Sequence, residues 1–309
     1  MTDLSVNIAG VHFRNPVIAA SGTFGYGQEY AGLVDVAALG GICTKGLTLE
    51  ARSGNRGQRL HETPSGLMNS IGLENPGIPA FIRDELPRMR ALGPVILANL
   101  SGSTADDYVQ GARLLSETDI DMIELNISCP NVKAGGMAFG LHSADAAALV
   151  GAVRAACRKP LVVKLSPNAG DLCAVAAACA NEGADALSLV NTFKAMAIDV
   201  RRRRPVFDNV TAGLSGPAIR PMALRMVWDV CQAVRIPVIG LGGIASTDDA
   251  LEFLLAGTSA VQIGTATFAH PGTMNGIIAG LESYMRANGI GSVAALSINQ
   301  RPQPQGGQT

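Results

Sequence analysis

The sequence predicts an α/β fold, a single-domain (β/α)8 TIM barrel with long loops on its C-terminal face, and three observations predict it. Short apolar runs rich in Val, Ile and Leu recur eight times along the 309 residues. Most are followed by a stretch with helical spacing, the pattern of βα units around a parallel sheet. The length suits one barrel or two ordinary domains, and no shift in composition marks a boundary.

The expected strands are 17–20, 41–44, 95–99, 122–126, 161–165, 186–190, 238–241 and 260–263. Helix-like stretches lie near 79–92, 104–117, 143–158, 171–182, 219–234 and 247–256. Thr104, Ser143, Asp171 and Thr247 stand in cap positions, where a side-chain oxygen can accept from a free backbone N–H. A doubly wound sheet with a second domain is the competing architecture, but eight strands without a crossover-length gap favour the barrel. Segments 46–78, 127–142 and 192–218 exceed ordinary βα loops. Long loops in compact domains are usually functional, and these three fall on the face where barrel enzymes place their chemistry. Residues 1–299 are therefore expected to form the barrel, and the tail 300–309, which lacks apolar residues, to be disordered.

Composition narrows the function. A hydrophobic share of 48% against 16% charged residues describes a chain able to bury a large core, which excludes disorder and collagen-like repeats. Net charge is −1, so no electrostatic footprint points to nucleic acid or an anionic membrane. The start has no basic n-region and no run of eighteen apolar residues occurs, so neither a signal peptide nor a membrane span is expected. The six cysteines, at 43, 129, 157, 173, 179 and 231, contain no C-x-x-C pair, and a reducing, cytoplasmic compartment without a bound metal is expected.

In a barrel, the residues just past each strand line one cavity. Here they are Ser21-Gly22, Thr44-Lys45, Asn99, Asn126, Lys164, Asn191-Thr192, Gly242-Gly243 and Gly264-Thr265. Asn and Gly are common in turns, so a single one says little. Three asparagines and two lysines at successive strand ends carry more, since each half-buried polar group costs about 1–3 kcal/mol if unpaired. Only five of the 24 basic residues are lysines, and two of these stand at strand ends. Lys164 interrupts an apolar strand and needs an anionic or strongly accepting partner, either a structural Glu or an electron-rich cofactor. The neighbouring amides favour the cofactor. Glycine turns after strands seven and eight, with the flexible 213–217 segment, place bare N–H groups where barrels commonly hold a phosphate.

The segment from Glu124 to Gly140 begins as strand four and leaves as a Gly-rich loop. Five cysteines read as small core fillers. Cys129, followed by Pro130 over the cavity mouth, can instead act as nucleophile or general base. His12, His61, His142 and His270 are scattered and read as surface or packing residues.

The motifs Ala20-Ser21-Gly22-Thr23-Phe24-Gly25, Asn69-Ser70-Ile71-Gly72-Leu73-Glu74-Asn75-Pro76-Gly77, Asn126-Ile127-Ser128-Cys129-Pro130-Asn131, Lys164-Leu165-Ser166-Pro167-Asn168 and Gly213-Leu214-Ser215-Gly216-Pro217-Ala218 resemble, in order and spacing, the dihydroorotate dehydrogenase family. The resemblance runs from about residue 4 to 290. Val132-Lys133-Ala134-Gly135-Gly136 is similar to class 1B, the NAD-linked catalytic chains, more than to the fumarate-linked class 1A. The resemblance implies an FMN barrel, one non-covalent FMN per chain, that oxidises (S)-dihydroorotate to orotate in pyrimidine synthesis. It implies flavin contacts from Ser21, Lys45, Gly46, Asn99, Asn126, Lys164, Val190, Gly216, Gly242, Gly243, Gly264 and Thr265. It implies substrate contacts from Lys45, Asn69, Ser70, Ile71, Gly72, Leu73, Asn126, Asn191 and Thr192, with Cys129 as base. It also implies a homodimer of catalytic chains within a heterotetramer, and a partner subunit carrying FAD and a [2Fe-2S] cluster. The chain departs from the family at Gly46, where relatives have a small side chain, and at Ala212, which replaces a glycine. The competing readings are a related flavin barrel acting on uracil-type pyrimidines, a flavin-free barrel isomerase, and a non-catalytic scaffold.

Overall fold

Eight parallel strands close into a barrel in which each strand pairs with its neighbour in sequence. They are β1 (Val17–Ala19), β2 (Gly41–Cys43), β3 (Val95–Leu100), β4 (Met122–Asn126), β5 (Leu161–Lys164), β6 (Ala186–Leu189), β7 (Val238–Leu241) and β8 (Ala260–Ile263). The computed structural model describes residues 2–128 and 139–298. All eight expected strands are present, within a residue or two at each end.

Alternation along the strands divides the interior into two shells. Outward residues such as Ile123, Leu125, Val163, Leu187 and Val261 join the core between barrel and helices. Inward residues Ile18, Cys43, Leu97, Met122, Val162, Ala186, Ile239 and Ala260 fill the barrel floor. An N-terminal hairpin, Val6–Ile8 paired with Val11–Phe13, closes the floor from below through Ile8 and Phe13. Two residues further along, on the same inward face, the character changes. Asn99, Glu124, Lys164, Ser188 and Gln262 replace the aliphatic layer, all buried. The floor is dry and the next layer polar because one periodicity carries both.

Helices pack outside: α1 (Leu86–Leu92), α2 (Ala105–Ser116), α3 (Ser143–Ala156), α4 (Leu172–Asn181), α5 (Arg220–Ala233), α6 (Thr247–Leu255) and α7 (Thr273–Ala287). Thr104 caps α2 in a reciprocal box with Asp107, and Asp171 caps α4 by accepting from Ala174 N. Two caps move by one residue. His142 precedes α3 in place of Ser143, and Ser246 caps α6 in place of Thr247, in a second reciprocal box with Asp249.

The long segments after β2 and β6 are not loose loops. Leu60–Thr63, Gly66–Asn69, Thr211–Ser215 and Phe193–Met196 form one four-stranded antiparallel sheet over the barrel mouth. Met68, Phe207 and Ala212 give it a small core of its own. The expected disordered tail, 300–309, lies outside the described residues. Among the described residues, no helix is long and apolar enough to cross a membrane.

Candidate functional site

Above the polar layer, between the strand ends and the added sheet, lies a cavity of about 510 Å³, within the range of small-molecule sites. Its chemistry starts at Glu124, which is 0% exposed. Its Oε1 accepts from Asn99 Nδ2 at 2.7 Å, Cys43 Sγ at 3.1 Å and Lys164 Nζ at 3.2 Å. Its Oε2 accepts from Gln262 Nε2 at 2.7 Å and Ser188 Oγ at 2.9 Å. Burial alone would push this carboxyl up. The Lys164 ammonium and the donors around it outweigh burial and hold it below its ordinary value. Burial, reinforced by the Glu124 charge, pushes the Cys43 thiol well up, so it stays protonated as a donor.

The partner of Lys164 within the protein is therefore a structural glutamate, the alternative that the sequence disfavoured. Lys164 still lines the cavity, so one ammonium faces both Glu124 and the space above it.

A chain of amides runs from this carboxylate to the mouth. Glu124 can only accept, so Asn99 must turn its NH2 toward it. Asn99 Oδ1 then accepts from Asn126 Nδ2 at 3.4 Å. Asn126 Oδ1 in turn accepts from Ser128 Oγ at 2.6 Å and Asn191 Nδ2 at 3.5 Å. Asn191 also donates to Ser128 Oγ. One ionised group thus sets the orientation of two amides along the cavity wall.

The added sheet supplies the opposite wall. Asn69, Ser70, Ile71, Gly72, Leu73 and Thr192 all line the cavity, as do Lys45 and Asn191. Asn69 Nδ2 donates to Gly213 O at 3.3 Å, tying this wall to the strand from the later insertion. Gly72 and Leu73 both lie in the left-handed region, with φ of 79° and 57°. Buried Asn75 supports the turn, donating to Leu73 O at 2.7 Å and accepting from Thr48 N and Gly77 N.

Gly242 and Gly243, just past β7, and Gly216, just past the Thr211–Ser215 strand of the added sheet, have φ of 132°, 79° and 96°. A Cβ on Gly243 would stand 2.7 Å from Gly216 O and 2.9 Å from Arg220 N, so no side chain fits there. Gly264 and Thr265 complete this rim, Thr265 Oγ1 donating to Ser215 Oγ at 2.8 Å. Bare backbone of this kind suits a phosphate, and Gln262 Oε1 is a buried acceptor with no donor among the described residues. Both features fit a phosphorylated, hydroxyl-bearing cofactor.

Ser21, Gly46 and Val190 also line the cavity, as does every described residue expected to contact flavin or substrate. Thr44, which the sequence also placed on the wall, does not line it: it is fully buried, its Oγ1 accepting from Asn99 N at 3.0 Å and donating to Lys45 O at 2.8 Å. Cys129, which follows Ser128 in the sequence, lies outside the described residues. Of the other cysteines, Cys43, Cys157, Cys179 and Cys231 are buried and Cys173 is half-buried. His12, His142 and His270 are exposed, and His61 packs edge-on against Phe207. Glu124, Gln262 and Ser188 were missed as site residues. The signal that singled out Lys164, a charge within an apolar strand, applies equally to Glu124 in Met122-Ile123-Glu124-Leu125.

Comparison with known proteins agrees with this geometry. A family profile described as dihydroorotate dehydrogenase matches residues 3–285. A protein of Petrotoga mobilis named dihydroorotate dehydrogenase B (NAD(+)), catalytic subunit, is 56% identical over 293 residues, covering 95% of this chain and 98% of that protein. Proteins of the same name from Geotalea daltonii and Bacteroides thetaiotaomicron are 52% and 51% identical, each covering 95% of this chain and 97% of theirs. The matched span takes in every barrel strand and both insertions, and the chain belongs to the dihydroorotate dehydrogenase family.

Proposed function

We propose that this chain is the catalytic subunit of an NAD-linked dihydroorotate dehydrogenase, converting (S)-dihydroorotate to orotate in the de novo synthesis of UMP. The observation that carries the reading is the single cavity on which the polar strand ends, the glycine rim and the sheet wall converge. FMN, one per chain and non-covalent, supplies the hydride acceptor when bound. Ser21, Lys45, Gly46, Asn99, Asn126, Lys164 and Val190 hold its ring and polyol, and the backbone of Gly216, Gly242, Gly243, Gly264 and Thr265 holds its phosphate.

The substrate ring needs a fixed orientation and one proton removed. Lys45 takes the carboxylate. Asn69, Ser70, Ile71, Gly72, Leu73, Asn126, Asn191 and Thr192 take the ring amides and hold the C5–C6 bond in place. The amide chain from Glu124 supports this role, because it fixes which face of Asn126 is donor and which is acceptor. Cys129 Sγ, as thiolate, removes the C5 proton. A free thiol ionises at about 8.5, so activity rises with pH until Cys129 is ionised.

Electrons then leave through a partner subunit bearing FAD and a [2Fe-2S] cluster, in a heterotetramer built on a homodimer of this chain, in the cytoplasm. The relatives' names as NAD(+)-linked catalytic subunits support a partner. So does the lack of any cysteine spacing able to hold such a cluster in this sequence. The test is turnover with an artificial acceptor: orotate forms from dihydroorotate, and dihydrouracil is not oxidised. Equal turnover of both would move the chain to the uracil-type flavin barrels, and efficient turnover with fumarate alone would move it to class 1A.

A further inference from the structure

The geometry points to Gln262 as a further binding residue of this cavity, its side-chain Oε1 accepting a hydrogen bond from a hydroxyl on the cofactor's ribityl chain. Gln262 is 1% exposed, lines the cavity, and its Oε1 has no donor among the described residues. Its orientation is not free. Nε2 donates to Glu124 Oε2 at 2.7 Å, and turning the amide over would set two acceptor oxygens against each other. The carboxylate therefore holds Oε1 as an acceptor that no donor among the described residues satisfies, and a buried acceptor left unpaired is destabilising.

Position selects the donor. Gln262 lies on β8 two residues before Gly264, on the same inward face, paired in register with Leu241 of β7 and Ile18 of β1. The glycine rim is directly above it. Lys164 and Asn99 stand across the barrel on the far side of Glu124. Whatever joins a phosphate at the rim to a ring over Lys164 passes Gln262, and in FMN that is the hydroxyl-bearing ribityl chain. This inference rests on the FMN reading above.

The experiment titrates flavin-free protein with FMN and with lumiflavin, which has the ring but no ribityl chain, following quenching of flavin fluorescence. Gln262→Met keeps the volume and removes the acceptor. Its Kd for FMN is expected to rise roughly five-fold, the worth of one hydrogen bond, while its Kd for lumiflavin stays at the wild-type value. An unchanged Kd for FMN overturns the inference, and so does equal weakening of both ligands, which would place the contact on the ring. Should the variant not fold, wild-type protein is titrated with FMN analogues lacking single ribityl hydroxyls. At least one is expected to bind several-fold more weakly, and equal affinity for all overturns the inference. Wild-type protein that takes up no flavin overturns the FMN reading itself, and this inference with it.

Discussion

Glu124 carries five donors on two oxygens, and that saturation determines how it responds to substitution. Replacing it with Ala strands the Lys164 ammonium in the barrel and leaves five donors unsatisfied. The loss is expected to be about 3–5 kcal/mol in denaturant unfolding, the scale for breaking a buried pair from one side. The pH dependence follows from the direction of its shift. A carboxyl held below its ordinary value stabilises the fold above the unfolded-state pKa and loses that contribution as pH falls through the folded value. Wild-type stability should therefore fall on the acid side of about pH 4.5, near the ordinary carboxyl value, more steeply than that of Glu124→Gln. Parallel stability profiles for the two would contradict the assignment. Cys129→Ser is expected to fold and bind flavin normally, yet slow flavin reduction by about 10²–10⁴-fold, as removal of a general base does. Stopped-flow reduction at the wild-type rate near pH 7 would remove Cys129 from that role. At this scale the sequence was legible at most polar strand ends, Thr44 being the exception, since it turns into the protein rather than the cavity. Glu124 carried the same signal as Lys164, a charge between apolar neighbours, but its role was hidden because its partners come from β2, β3, β5, β6 and β8. Gln262 was hidden for the same reason, since only closure of the barrel brings β8 opposite β4.

Glycine rim and helix caps set the predictions for elements. Gly243→Ala places a methyl against the backbone of Gly216 and Arg220, which have no freedom to yield as a side-chain tip would. The rim must shift, so FMN affinity should fall while the barrel remains folded. FMN titration together with a thermal melt separates the two. Ser246→Ala removes the cap of α6 and half of its box with Asp249, at about 1 kcal/mol in denaturant unfolding. All eight strands and most helices could be read because βα units repeat a local pattern, apolar run then helical spacing, that needs no distant partner. The sheet over the mouth could not. Its four strands come as two local pairs, Leu60–Thr63 with Gly66–Asn69 and Phe193–Met196 with Thr211–Ser215, that lie far apart in sequence, and pairs such as Asn69 with Gly213 exist only after the barrel has closed. Leu60–Thr63 and Phe193–Met196 alternate too briefly to stand out from a long loop.

Across the whole molecule, the proposed reaction divides between this chain, which takes hydrogen from dihydroorotate, and a partner, which passes electrons to NAD. The purified chain should therefore reduce artificial acceptors with dihydroorotate but form no NADH until the partner is added, and robust NADH production by the chain alone would remove the need for a partner. If the cavity over Glu124 and Lys164 brings FMN and dihydroorotate together, the substrate must reduce the bound flavin directly. Purified protein is mixed with dihydroorotate in the absence of oxygen and its visible absorption is followed. The protein is expected to be yellow, and its flavin band to bleach as about one orotate appears per flavin, with no bleaching by dihydrouracil. A colourless protein that takes up no FMN, or a flavin band that dihydroorotate leaves unchanged, would contradict it.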